Sequence, residues 1–162
     1  MIVEINPIAF YIPLPFFGWW PIYWYGISWL LAILSINYLA RLHAPSSGVI
    51  NKKLIDDFIF YGVLGAINGG RIGYMVFYGL DNLLRDPIAL FKIWEGGLSF
   101  HGGLLGVLSS FLIFSESRKI SFFDLSDHMA IYIPLGLGSV RIGNFLGGEL
   151  LGRPTEMPWG IV

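Results

Sequence analysis

The sequence predicts an all-α fold, a polytopic transmembrane helical bundle with about four spans, and two observations predict it. Hydrophobic residues make up 55% of the 162-residue chain and charged residues only 13%, where soluble domains carry roughly a quarter charged residues. The apolar residues gather into four runs, about 21–42, 57–79, 97–114 and 128–145. Each is close to the ~20 helical residues that cross ~30 Å of hydrocarbon, the third being the shortest. A single integral-membrane domain over residues 1–162 is therefore expected. The net charge of −1 gives no reason to expect nucleic acid as a partner. Cysteine is absent, which excludes disulfides, thiolate metal sites and a cysteine nucleophile within this chain. No metal and no cofactor is expected.

The elements follow in order. Residues 1–20, rich in Pro, Phe and Trp, read as an interfacial lead-in with aromatics at headgroup level, of the kind a lateral amphipathic segment supplies. They lack a basic n-region and a small-residue cleavage pattern, so the first span is expected to be retained. That span carries Tyr25 near its start, and the loop after it carries Arg41, Lys52 and Lys53. The second span holds Arg71 about two turns before its end. Asp81–Phe91 reads as a turn, with Ile88–Trp94 lying along the surface. His101 falls just inside the third span, and Arg118 and Lys119 follow it. The fourth span ends with Arg141 and Asn144, and Gly147-Gly148 marks a helix break before Glu149. Five basic residues in the first and third loops against two, Arg85 and Lys92, in the second place both termini of the chain outside.

With that topology, Tyr25, Arg71, His101 and Arg141 all lie within roughly 12 Å of the outer boundary at 1.5 Å per residue. A charge at the centre of a membrane helix costs roughly 2.5–3.5 kcal/mol on insertion scales, so it faces a partner, a cavity or a substrate. The shared depth points to one pocket on the outer side. Glycines flank each charged residue, among them Gly69, Gly70 and Gly73 near Arg71 and Gly102, Gly103 and Gly106 after His101. They serve either close helix packing or ligand access to bare backbone. Each polar residue also has a structural alternative. Arg71 can pair with Asp81 or Glu95, His101 can bond a backbone carbonyl, and Tyr25 can belong to the aromatic belt. Asn144 can tie two helices together, and Glu149 can neutralise Arg141 or Arg153. An R-I-G echo at Arg71 and Arg141 fits a duplicated hairpin, a pattern found in transporters.

The blocks GGRIGYMVFYG from Gly69, W-x-GG-x-SFHGGLLG from Trp94 to Gly106, and SVRIGNFLGGELLGR up to Arg153, with WYGI around Tyr25, give the chain its family resemblance. It resembles bacterial prolipoprotein diacylglyceryl transferase over most of its length. The resemblance implies transfer of the diacylglyceryl group of phosphatidylglycerol to the lipobox cysteine thiol of a prolipoprotein, in the bacterial cytoplasmic (inner) membrane. It implies His101 and Tyr25 as catalytic groups, His101 as general base with lipid positioning as the competing role, and Tyr25 orienting thiol or headgroup. For phosphatidylglycerol it implies Arg141 on the phosphate, with Asn144, Glu149 and Gly152 orienting Arg141 and the glycerol headgroup; Arg71 is placed with them by its shared depth. Gly147 stands where the family usually has an asparagine. Family members continue beyond the position of Val162 through more spans and another important arginine, so the chain is expected to be an N-terminal portion, its missing spans supplied by a companion chain if at all. The alternative function is a non-catalytic membrane module that binds anionic lipid or forms part of a transporter.

Overall fold

A computed structural model describes residues 5–15, 18–44, 50–148, 153 and 156–157. It is mainly helical, and its residues form two compact units: residues 1–39 with 130–162, and residues 40–129. Each is built differently.

The first unit opens with an antiparallel hairpin, β1 (Ile8–Leu14) against β2 (Gly18–Tyr23). This corrects the all-α expectation for the start of the chain, and it takes residues 21–23 from the expected first span. Two prolines that argue against a strand are accommodated because both strands are edges. Pro13 stands opposite Trp19 and Pro21 opposite Tyr11. The backbone N–H of Trp24 donates to Pro7 O at 3.0 Å, tying the hairpin to the first turn of α1 (Trp24–Leu42). In the same unit α6 (Ile133–Leu146) packs on α1 through small residues. A Cβ on Gly136 would meet Ile36 Cγ1 at 3.3 Å and Ala32 at 3.6 Å, and Ser139 Oγ donates to Ser28 O at 3.0 Å.

In the second unit, α2 (Lys52–Phe77) and α4 (Phe100–Arg118) pair along a glycine seam. Gly65, Gly69 and Gly73 recur every fourth residue on α2, and Gly102, Gly106 and Ser110 do so on α4. A Cβ on Gly69 would lie 2.7 Å from Gly106 Cα, and one on Gly73 would lie 2.8 Å from Gly102 Cα. The two backbones therefore touch, the arrangement that small residues permit between membrane helices. Farther along, the fully buried Phe58 stacks on Phe111 with ring centroids 3.7 Å apart. Beyond the seam, Arg118 pairs with Asp57 at 3.1 Å and Arg41 with Asp56 at 2.9 Å.

Between α2 and α4 the chain forms α3 (Leu80–Arg85) and two 3-10 turns, Pro87–Phe91 and Ile93–Glu95. Gly96 and Gly97 follow at φ +82° and +83°, a backbone region that side chains disfavour. At Gly97 a Cβ would also strike the Tyr74 ring. Ser99 then caps α4, its Oγ accepting from Gly102 N at 3.2 Å. Loss of such a cap costs about 0.5–2 kcal/mol. Ser99→Ala is expected to lower stability by that amount, and hydrogen exchange should locate the fraying in residues 100–103.

The fourth expected span is not one helix. It is broken at Ile131–Tyr132 into α5 (Phe122–Ala130) and α6. The cause is Pro134 in the first turn of α6, which has no N–H to give and whose ring would collide with the carbonyl four residues earlier. Among the described residues one helix, Trp24–Leu42, is long and apolar enough to cross a membrane alone, and the broken α5–α6 pair taken together would be a second. The glycines and charges of α2 and α4 dilute their apolar character.

The packing is inside out for water. Glycine, alanine and serine occupy much of the helix contacts, while Leu30, Leu34, Phe60, Leu105 and Ile113 stand more than half exposed.

Candidate functional site

Tyr25 is the second residue of α1, held there by the hairpin. Its carbonyl accepts from Ser28 Oγ at 2.7 Å, and its ring meets Trp29 edge-on with centroids 6.4 Å apart. The C-terminal half of α6 lies against this turn, for a Cβ on Gly143 would come within 3.4 Å of Tyr25 Cα and would collide with Ser28 Oγ. Asn144 follows Gly143 and is buried, whereas Arg141, three residues earlier, is exposed. One unit thus holds Tyr25, Arg141 and Asn144 on two packed helices, with Asn144 buried and Arg141 on an exposed side of α6. Tyr25 and Gly147 also line an open apolar cleft of about 750 Å³, with Ile22, Gly26 and Leu30. The helix ends at Leu146, and Gly148 takes φ +67°. Glu149 and Gly152 lie outside the described residues.

The other unit holds His101 and Arg71. His101 sits in the first turn of α4 with an exposed side chain, its ring edge-on to Phe100 at 5.7 Å. Arg71 is 3% exposed, and its surroundings differ from both expectations for it. Its Nε–H donates to Leu90 O at 3.2 Å, Nη2 to Ala89 O at 2.6 Å and Lys92 O at 2.9 Å, and Nη1 to Gly97 O at 3.3 Å and to Gly96 O. A guanidinium has five N–H donors, and here all five are placed on carbonyls. Neither Asp81 nor Glu95 is among the partners, and no donor is left over for a phosphate. Sequence reasoning missed this because the acceptors are backbone atoms, which no residue pattern advertises.

Of the glycines near Arg71 and His101, Gly69, Gly73, Gly102 and Gly106 are consumed by helix packing. Among the described residues no three His, Asp or Glu side chains converge as a metal site would require.

The carbonyl-bearing segment is closed by a surface clasp. Asp86 accepts from Ile88 N at 3.1 Å and from Lys92 Nζ at 2.9 Å. The hydrogen bond from Lys92 is the main cause that holds the Asp86 carboxyl below its ordinary value, with the Ile88 N–H helping against partial desolvation. Asp86 in turn raises Lys92. A lowered carboxyl contributes stability above its unfolded value, near 3.8, and loses it as pH falls through the folded value. A raised ammonium contributes below its unfolded value, near 10.5, and loses it as pH rises through the folded one. Cleavage of residues 86–95 by an acid-active protease is thus expected to accelerate as pH falls below the carboxylate range, and Asp86→Asn should abolish that step.

Residues 7–162 match the family model described as prolipoprotein diacylglyceryl transferase. Proteins named phosphatidylglycerol--prolipoprotein diacylglyceryl transferase are similar to it in Aeromonas salmonicida (46% identical, covering 98% of this chain and 56% of the relative), Chromohalobacter salexigens (42%, 98% and 57%) and Aeromonas hydrophila (46%, 98% and 57%). The chain spans little more than half the length of these curated relatives.

Proposed function

The chain belongs to the prolipoprotein diacylglyceryl transferase family, its match running over residues 7–162, and on that premise we propose that it takes part in moving the diacylglyceryl group of phosphatidylglycerol to the cysteine thiol of a prolipoprotein lipobox. The observation that carries this reading is similarity over 98% of the chain to relatives named for that reaction. In the transfer the thiol sulfur attacks the glycerol carbon that bears the phosphate. A carbon–sulfur bond forms, the carbon–oxygen bond breaks, and glycerol phosphate leaves with the bonding pair while the thiol proton passes to a base.

His101 is the proposed base, exposed at the start of α4. Arg141 is the proposed phosphate ligand, since its exposed guanidinium can place two parallel donors on two phosphate oxygens as charge builds on the leaving group. Tyr25 on α1 and Asn144 on α6 are proposed to orient the headgroup, and Glu149 and Gly152 are assigned to the same proposed site. The apolar cleft beside Tyr25 suits an acyl chain or the apolar lipobox segment.

The proposed setting is the bacterial inner membrane with four crossings, the N-terminus and the α3 turn outside, and Arg41, Lys52, Lys53, Arg118 and Lys119 at the inner face. Exposed leucine, isoleucine and phenylalanine on helices that meet through glycine, alanine and serine support lipid as the solvent of the helices.

The test incubates membranes containing the chain with phosphatidylglycerol and a lipobox peptide. Thioether-linked diacylglycerol on the peptide cysteine is expected. Lipid binding without that product would replace the enzyme with a module that holds anionic lipid.

A further inference from the structure

The best-satisfied charged group among the described residues is one that the proposed reaction does not use. Arg71 lies near the end of α2, buried, with every donor on a carbonyl of the strap formed by residues 86–99. The five acceptors, Ala89, Leu90, Lys92, Gly96 and Gly97, span nine residues: two lie in the first 3-10 turn, Lys92 joins it to the second, and the glycine pair follows. Ala89 O and Lys92 O also accept a backbone N–H inside the turns, from Lys92 and Glu95 at 3.2 Å each. Arg71 adds a second donor there while supplying one to Leu90, Gly96 and Gly97, since backbone carbonyls left without a donor are costly. One planar cation meets all five, which three donors on a lysine could not do.

The strap also determines where α4 begins. Gly97 O accepts from Arg71, Ser99 N donates to Gly70 O at 2.9 Å, and Ser99 Oγ caps Gly102 N. Residues 97, 99 and 102 are thereby fixed on both sides of His101. The Tyr74 ring completes the support, lying 5.9 Å from the Arg71 guanidinium carbon and directly against Gly97.

We propose that Arg71 is a positioning residue: it pins the strap to α2 and so sets the first turn of α4 and the place of His101. The part of this that concerns catalysis rests on the role proposed for His101; the pinning itself does not.

The experiment compares the wild-type chain with Arg71→Gln and Arg71→Lys in phosphatidylcholine nanodiscs, without and with phosphatidylglycerol. Protease cleavage within residues 86–99 should quicken by about tenfold or more in Arg71→Gln, even without phosphatidylglycerol, as expected for local opening. Arg71→Lys should fall between, and it carries the test if Arg71→Gln fails to fold. The rate of diethylpyrocarbonate modification at His101, read by peptide mass, should change by about threefold or more as its turn loosens. Affinity for phosphatidylglycerol should stay within about threefold of wild type, under 1 kcal/mol. Wild-type cleavage and His101 reactivity together with about tenfold weaker lipid binding would make Arg71 a lipid ligand and overturn the proposal. A loosened strap with unchanged His101 reactivity would equally overturn the positioning role. Failure of the wild-type chain to form thioether product would remove the proposed reaction but leave all three of these readings intact.

Discussion

Gly106→Val is expected to unpair α2 from α4. A side chain at Gly106 has nowhere to go, because its Cβ would lie 2.9 Å from both Gly65 C and Gly69 Cα and closer still to Gly65 O. All three atoms are backbone of the facing helix, so no rotamer change relieves the clash. Overpacking a core costs about 1–3 kcal/mol when side chains can yield. Here the helices must separate, and the expected loss is at the upper end or beyond, since the seam and the Phe58–Phe111 stack separate together. Unfolding in detergent, followed by helical circular dichroism, measures it. Gly138→Ala is the control, for among the described residues nothing lies within 4 Å of the Cβ it would add, and alanine in a helix is favoured by about 1 kcal/mol. Equal behaviour of the two variants would disprove the seam.

Arg141→Lys is expected to reduce diacylglyceryl transfer by roughly 10²–10³, the range found when one preorganised donor to a developing anion is removed. The change keeps the positive charge and loses the planar two-donor fork. Arg141 is exposed, so the substitution opens no cavity, and insertion and helix content should match wild type. Asn144→Ala provides a contrast. That residue is 8% exposed, so its loss should lower stability as well as transfer. Turnover by Arg141→Lys equal to wild type would remove Arg141 from the phosphate.

Helix content and three helix positions were legible because long apolar runs and glycine punctuation act locally. The hairpin was not, since aromatic residues interleaved with Pro13, Pro15 and Pro21 look like an interfacial segment until a second edge strand is supplied. The break at Ile131–Tyr132 could have been found from Pro134 alone. The two R-I-G tripeptides show the limit most clearly. Arg71 is buried against carbonyls and Arg141 is exposed, although the residues beside them are alike. What separates them is the strap, brought back to α2 from as far as 26 positions along the chain. At Arg71 the expected partners were carboxylates, because charge is visible in a sequence and the backbone carbonyls of a folded-back strap are not.

The contact between α2 and α4 also has an entropic side. Glycine has no rotamers to immobilise, so bringing these faces together forfeits little of the freedom that a leucine or methionine core surrenders. Nor can the two rods slide past each other by one residue, because each step would drive a bulky group into bare main chain. Thermal motion in this unit should therefore concentrate in the strap and spare the seam.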